Sequence, residues 1–321
     1  KEIKNIITNI SIMLKTALNN LKIRQYDGEN VYHEENQYIY LIQDILREGS
    51  MVDGRNGNAL TVFGSAMHFT LEGNVLPVLT SKKVAWKTCM KELLWFISGS
   101  TDNTLLKEQN VKIWNRNASR EYLDSIGMVE REEDDLGPVY GHQWRHFNAT
   151  YKSCKDDYKN QGVDQLKYII ESLKDPVKRY SRRLIMSAWN PCQLSEMALP
   201  PCHVLVQFNV LPGDKLSCSL YQRSGDVGLG VPFNIASYSM LTHIIAHQCG
   251  LVASEFNYHL GNCHIYDDHI ESVKLQLDRK PHKFPVINIK RKPENIEDYV
   301  IDDFELIDYN CHSQITMDMR K

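Results

Sequence analysis

No run of about 18 apolar residues occurs in the 321-residue sequence, so no membrane-spanning helix is expected. No signal peptide of the charged, apolar, small-residue kind opens the chain. Its first residue is Lys1 rather than methionine, and the expectation is that something preceded it or was removed. The eight cysteines form no C-x-x-C pair, which argues against a zinc ribbon or a thioredoxin-type motif. Scattered through a chain this long, they do not read as a disulfide framework. A reducing intracellular compartment, the cytoplasm, fits better. Basic excess is also missing: 37 Lys and Arg face 40 Asp and Glu, for a formal net charge of −3. That argues against a general nucleic-acid surface and leaves room for a local anion site. Gly225, Gly228 and Gly230 are spaced G-x-x-G-x-G, which is neither a Rossmann nor a P-loop pattern. His243 and His247 stand at zinc-ligand spacing, but Ile244 occupies the place of the HExxH glutamate, so no metal is expected. Internal repeats and low-complexity segments are lacking too.

What is present suits a packed core. Apolar residues make up 42% and charged residues 24%, enough for one large domain or two. Ile3, Ile6, Ile7, Ile10, Met13, Leu14, Ala17, Leu18 and Leu21 fall at helical spacing. They predict a helix over 1–23, followed by a linker to residue 33. Helices are also predicted over 34–47, ending at Gly49, over 84–98, 163–174 and 265–277, and from Pro232 to Gln248 with Gly250 as the stop. Strands are predicted at 59–63, 65–71, 183–189, 203–210, 215–221 and 256–260. The tail from 280 alternates proline turns with short strands. The stretch 112–147, rich in Trp, Tyr, Asn and Arg, reads as loops forming a site wall. Within it, 130–135 reads as a solvated charged loop. Glu92 sits at the edge of an apolar helical stripe. A carboxylate there is usually solvated; if buried, its pKa rises toward neutrality.

Arg182 to Asn234 is the most informative stretch. Leu199-Pro200-Pro201-Cys202-His203 lies at its centre. Two prolines fix two φ angles and remove two N–H donors, which holds the cysteine rigidly. A cysteine becomes a nucleophile only as thiolate, with positive charge nearby. Arg182, Arg183 and Arg223 are the candidates for that charge. The plainer reading is a packed, inert core cysteine, the commoner fate of a lone cysteine.

The blocks KELLWFISGST, VKIW, GPVYGHQWRHF, RRLIMSAWNP, ALPPCH, YQRSGDVGLGVPFNIASY and HIYDDHIESVKLQL occur in this order. Together they resemble the thymidylate synthases closely, from about Glu34 onward. The resemblance implies an α+β fold: a central mixed sheet with helices on one face, paired sheet to sheet in a homodimer. It divides the chain into 1–33, an N-terminal helix and linker, and 34–321, the catalytic domain. It implies a methyltransferase that makes dTMP from dUMP, with 5,10-methylenetetrahydrofolate giving carbon and hydride. Cys202 is then the nucleophile, with Glu92, Tyr140, Arg223 and Asn234 as catalytic partners. Arg55, Arg182, Arg183, Arg223 and Ser224 are the phosphate ligands, the Arg182-Arg183 pair coming from the other subunit. His203, Gln222, Asp226 and Asn234 line the nucleotide, and His264 and Tyr266 bind the 3′-hydroxyl. Ile113, Trp114, Asn117, Asp226, Leu229, Gly230, Phe233 and Met319 form the folate wall; for the apolar ones, plain core packing is the alternative.

Several residues depart from the usual pattern of that family. Gly54-Arg55-Asn56 stands where Asp-Arg-Thr is common, and Asn115-Arg116 where an acidic-Ala pair is. Asn262 replaces a common Asp, and Met319-Arg320-Lys321 replaces a short apolar terminus. A deoxycytidylate hydroxymethylase on the same fold is one alternative; Asn at 234 rather than Asp favours dUMP. A non-catalytic nucleotide- or RNA-binding relative is another, against which the retained Cys202, Glu92 and arginines argue. The unpartnered apolar face of 1–23 suggests a fused dihydrofolate reductase domain upstream, as in some members of the family.

Overall fold

The computed structural model describes residues 33–54 and 56–320. The expected helix over 1–23, nearly all of its linker, and Arg55 lie outside the described residues. Among the described residues, six strands form the central sheet: β1 (Ser50–Gly54), β2 (Gly57–Thr70), β3 (Ile185–Ser187), β4 (His203–Leu211), β5 (Lys215–Asp226) and β6 (Val252–Tyr266). Their order is β1-β2-β6-β5-β4-β3. Of these neighbours only β5 and β6 run parallel, so the sheet is mixed. A parallel neighbour needs a crossover, and here it is α7 (Gly230–Cys249).

Alternation along the strands decides which face is covered. Met67, Tyr258, Leu220, Val206 and Met186 are successive register partners across five strands. All five are buried. The next row, Ala66, His259, Tyr221, Leu205 and Ser187, points to the other side. There Ala66 and His259 are exposed, and Tyr221 is 43% exposed. The helices therefore cover one face of the sheet and leave the second open in the single chain. Each fully buried large apolar side chain in the covered rows stabilises the fold by roughly 1.5–3 kcal/mol.

The remaining helices are α1 (Asn36–Glu48), α2 (Trp86–Ile97), α3 (Thr104–Glu108), α4 (Arg120–Ser125), α5 (Tyr140–His146), α6 (Gln165–Lys174) and α8 (Ile270–Leu277); β7 (Val286–Ile289) and β8 (Phe304–Ile307) form a small hairpin-like sheet. Sixteen of the twenty residues of α7 are buried. It is thus a core helix on all sides, and its first turn is a rigid platform for side chains. Gly250 ends it in the left-handed region at φ 71°, as expected of a C-terminal glycine. Gly49 ends α1 in extended backbone instead. A Cβ there would lie 2.3 Å from the Ile45 carbonyl oxygen, so close approach rather than positive φ requires the glycine.

Six expectations need correction. Gly64 does not break a strand; at φ 90° it is carried within a continuous β2, held by β6 along its length. The strand expected at 256–260 runs over all of Val252–Tyr266, paired on both sides. The helix expected from 265 therefore begins only at Ile270, after a 3-10 turn at Asp267–His269. The strand expected at 183–189 is confined to Ile185–Ser187, because only those residues pair with β4. The 112–147 stretch is not all loop: it contains α4 and α5. α4 buries only Leu123, and α5 buries Tyr140, His142 and Trp144, which hid the helical period. Asp135, taken with the solvated run, is 2% exposed. It accepts hydrogen bonds from Tyr151 Oη at 2.6 Å and from the Gly137 amide at 2.8 Å.

Candidate active site

Cys202 ends the proline loop immediately before β4. Its amide donates to Tyr140 Oη at 2.8 Å, and its carbonyl accepts from the Arg223 amide at 2.9 Å. The Arg223 guanidinium donates to the carbonyls of Pro201 at 2.8 Å and Pro200 at 2.9 Å. It also stacks 5.5 Å from the centre of the Trp189 ring. A fixed cation is thus held against the two peptide units that precede the cysteine. None of the eight cysteines forms a disulfide.

Glu92 projects from α2 and is only 9% exposed. Burial raises its pKa to about 7, and the hydrogen bond from Trp114 opposes that shift. The indole Nε1 donates to Glu92 Oε1 at 2.7 Å. Tyr140 opens α5. Burial, then the nearby Cys202, pushes its pKa well above the usual phenol range, so it keeps its proton at any working pH. Since its oxygen accepts the Cys202 amide, that proton is directed elsewhere.

These groups share one cavity of about 350 Å³. Cys202, Glu92, Tyr140, His203, Gln222 and Asn234 supply its polar part. Ile113, Trp114, Leu229, Phe233 and Met319 form an apolar wall, and Asn117, Ser224, Asp226, Gly230 and Tyr266 also line the cavity. Asn234 rises from the first turn of α7. Tyr258 Oη lies 3.5 Å from its Oδ1 and donates to Gln222 Oε1 at 2.5 Å. Burial lowers the pKa of His203 to about 4, only partly offset by its hydrogen bond to Asn234; the imidazole is therefore neutral. Asp226 accepts from the amides of Gly228 at 2.8 Å and Leu229 at 3.1 Å, which fixes the turn into α7. Behind that turn Lys82, 5% exposed, donates to the Gly228 carbonyl. Desolvation lowers its pKa to about 8. The buried Glu35 carboxylate holds the loop that carries it, accepting from the amides of Thr80 and Ser81, both at 2.8 Å.

A second cavity of about 220 Å³ adjoins the first through Tyr266, which lines both. His264, Asn262, Asn56 and Gly57 line it as well. His264 Nδ1 lies 2.9 Å from Asn262 Oδ1. Arg182 and Arg183 are exposed just ahead of edge strand β3. They line neither cavity of their own chain. Arg223 acts behind the cysteine loop rather than in the cavity lining. Phe96, Leu199 and Arg320 also line the main cavity, beyond the residues that the resemblance implies. The first two lie inside the KELLWFISGST and ALPPCH blocks, and that was their only signal. Lys82 had none, because neither period nor motif marks a buried lysine in a loop.

The apolar wall and the Asp226 carboxylate suit a flat heterocycle with polar edges. His243 and His247 are committed elsewhere. His243 Nε2 donates to the Val75 carbonyl at 2.9 Å, and His247 Nδ1 lies 2.7 Å from Tyr299 Oη. Among the described residues, no helix is long and apolar enough to cross a membrane.

Residues 36–321 match the family described as thymidylate synthase. Over 288 residues the chain is 52% identical to the bifunctional dihydrofolate reductase-thymidylate synthase of Paramecium tetraurelia, covering 89% of this chain and 61% of that protein. It is 51% identical to bifunctional dihydrofolate reductase-thymidylate synthase 2 of Arabidopsis thaliana, covering 89% and 50%. It is 52% identical to the thymidylate synthase of Homo sapiens, covering 89% and 91%. The chain thus spans under two thirds of the length of the two bifunctional relatives and nearly all of the human one. A match of this extent around a cavity of this composition establishes that the chain belongs to the thymidylate synthase family.

Proposed function

We propose that this chain methylates dUMP to dTMP, taking one carbon and a hydride from 5,10-methylenetetrahydrofolate and releasing dihydrofolate. The observation that carries the reading is the single 350 Å³ cavity, in which Cys202, Glu92, Tyr140 and Asn234 face an apolar wall and Asp226. Uracil C5 is a poor nucleophile. Addition of the Cys202 thiolate to C6 turns C5 into an enolate carbon, which is covalent catalysis of an ordinary kind. Enolate charge spreads to the C4 oxygen, where donors must face it. Asn234 offers its amide to the pyrimidine edge. Glu92, raised to about 7, supplies a proton toward O4 through water. Tyr140 stays protonated and helps remove the C5 proton by orienting a base rather than by ionising. The folate supplies carbon and reductant; Ile113, Trp114, Leu229, Phe233 and Met319 would hold its ring, with Asn117, Asp226 and Gly230 at its polar edge. His264 and Tyr266 take the 3′-hydroxyl. Formation of dihydrofolate from dUMP, followed spectrophotometrically, tests the reading. No product under saturating dUMP and folate would end it.

The alternative substrate dCMP presents an amino group at C4. Asn234 can donate to O4 and accept from N3–H of uracil. Asn234→Asp replaces the donor with an acceptor. A buried hydrogen bond of this kind is worth about 1–3 kcal/mol. Relative kcat/KM is therefore expected to shift toward dCMP by about 5- to 150-fold. An unchanged preference would mean that another group reads C4.

The open sheet face and the outward Arg182-Arg183 pair support a homodimer in which each subunit completes its partner's phosphate site. Arg55, Arg223 and Ser224 belong to the same site in this reading. Mixing inactive Arg183→Ala with inactive Cys202→Ala subunits is then expected to restore activity, since exchanged heterodimers carry one intact site. No recovery with exchange verified would place both arginines in their own subunit's function. An upstream dihydrofolate reductase domain fits the bifunctional relatives, with residues 1–33 as the connecting helix and linker and 34–321 as the synthase domain.

A further inference from the structure

Met319 lines the main cavity yet is 61% exposed. Burial of so open a side chain cannot by itself fix where it sits. Its neighbours are fixed by polar contacts instead. His269 Nε2 donates to the Asp318 carbonyl at 2.8 Å. Arg320 Nε donates to Asp268 Oδ1 at 3.0 Å, and its Nη2 pairs with Asp267. The guanidinium also lies 5.6 Å from the centre of the Tyr266 ring. A Cβ on Gly57 would come within 3.0 Å of Arg320 Nη1, so the hairpin between β1 and β2 closes on the same group. From outside, Arg116 Nη1 donates to the Arg320 carbonyl at 3.5 Å.

Exposed ion pairs usually contribute little. This one is different in form: one planar guanidinium spans two adjacent carboxylates and stacks on an aromatic face, the arrangement in which arginine is not replaceable by a point charge. Its partners also matter. Asp267 and Asp268 follow directly on β6, the strand whose end carries His264 and Tyr266. Arg320 therefore joins the outer wall of the main cavity to the strand end that lines the second one.

We propose that Arg320 is a positioning residue: clamped by Asp267 and Asp268, it holds Met319 over the cavity and couples the folate wall to the nucleotide end of β6. Naming these as folate and nucleotide subsites rests on the synthase reading; the clamp itself does not. Hydrogen exchange on the intact protein, followed in the peptide covering 315–321, reads the clamp directly. Arg320→Ala is expected to speed exchange in that peptide several-fold, and raised salt is expected to do the same to the parent protein but not to the variant. In turnover, Arg320→Ala is expected to raise KM for the folate about three- to tenfold while changing kcat less than about twofold. Arg320→Glu combined with Asp267→Arg and Asp268→Arg is expected to restore slow exchange. Unchanged exchange in Arg320→Ala would overturn the proposal, and so would failure of the charge reversal to restore it, since Arg320 would then act by packing alone. A parent protein without dUMP turnover would defeat the synthase reading while the exchange result still decides the clamp.

Discussion

Cys202→Ala is expected to abolish dTMP formation, a loss of about 10⁴-fold or more, because removing a covalent nucleophile disables the whole sequence of steps that depends on it. The fold is expected to survive. Cys202 is partly exposed at the cavity, and the contacts that hold its loop run through backbone. Its amide meets the Tyr140 hydroxyl, its carbonyl meets the Arg223 amide, and the Pro200 and Pro201 carbonyls meet the Arg223 guanidinium. Alanine keeps all of them. Cys202→Ser preserves shape but offers a hydroxyl, which is far less ionised than a thiol at neutral pH, so turnover is again expected to vanish. A fluorinated dUMP together with methylenetetrahydrofolate is expected to leave a covalent adduct on this residue in the parent protein, seen as a mass increase on the peptide containing Cys202. Near-normal turnover in Cys202→Ala, or an adduct on another cysteine, would remove Cys202 from its role.

How much of this was legible depends on the kind of signal. The strands at 203–210 and 215–221 were readable because they alternate, and a period of two leaves few choices; the covered face followed only from the resemblance. The length of β5 and β6 was not. Their ends, through Asp226 and Tyr266, carry Arg, Gly, Asn and His, residue types chosen by the cavities they line, so local propensity is silent there. The helix at Tyr140–His146 was hidden for a similar reason: Tyr140, His142 and Trp144 are buried, but a pattern rule does not count His as a core residue. The site's membership followed from ordered sequence blocks rather than from any physical period. Geometry then separated residues that the blocks had grouped. Arg223 serves the cysteine loop from behind, Arg182 and Arg183 stand outside the cavity, and Lys82 props the Asp226 turn from a loop with no marked pattern. The run 130–135 shows the converse error. Charge density suggested solvent, yet Asp135 is an internal hydrogen-bond hub, which only the positions of Tyr151 and Gly137 reveal.

Glu92→Gln is expected to lower kcat by about 10²–10³-fold while making the protein more stable above neutrality. The two effects have one origin. Desolvation disfavours the carboxylate, and the Trp114 hydrogen bond restores only part of the loss, leaving the pKa at about 7. An unfolded chain has no such burial, and its glutamate ionises near the ordinary value of 4.5. Between those two values the folded state binds more protons than the unfolded one. Stability therefore falls as pH rises through that window, and the loss is complete above the folded pKa. Its size is on the order of 3 kcal/mol. The glutamine side chain of the variant cannot ionise, and its amide oxygen still accepts from Trp114 Nε1. Melting temperatures of parent and variant are thus expected to agree near pH 4 and to separate by several degrees near pH 8, the variant being higher. Catalysis runs the other way. The neutral carboxyl is the form that can give a proton toward O4, so parental kcat is expected to decline as pH rises through about 7. The residual kcat of Glu92→Gln is expected to lack that limb, because an amide has no proton to give. Equal melting temperatures at pH 8 would mean that Glu92 is solvated in the working protein. A pH limb that survives in the variant would assign the titration to another group.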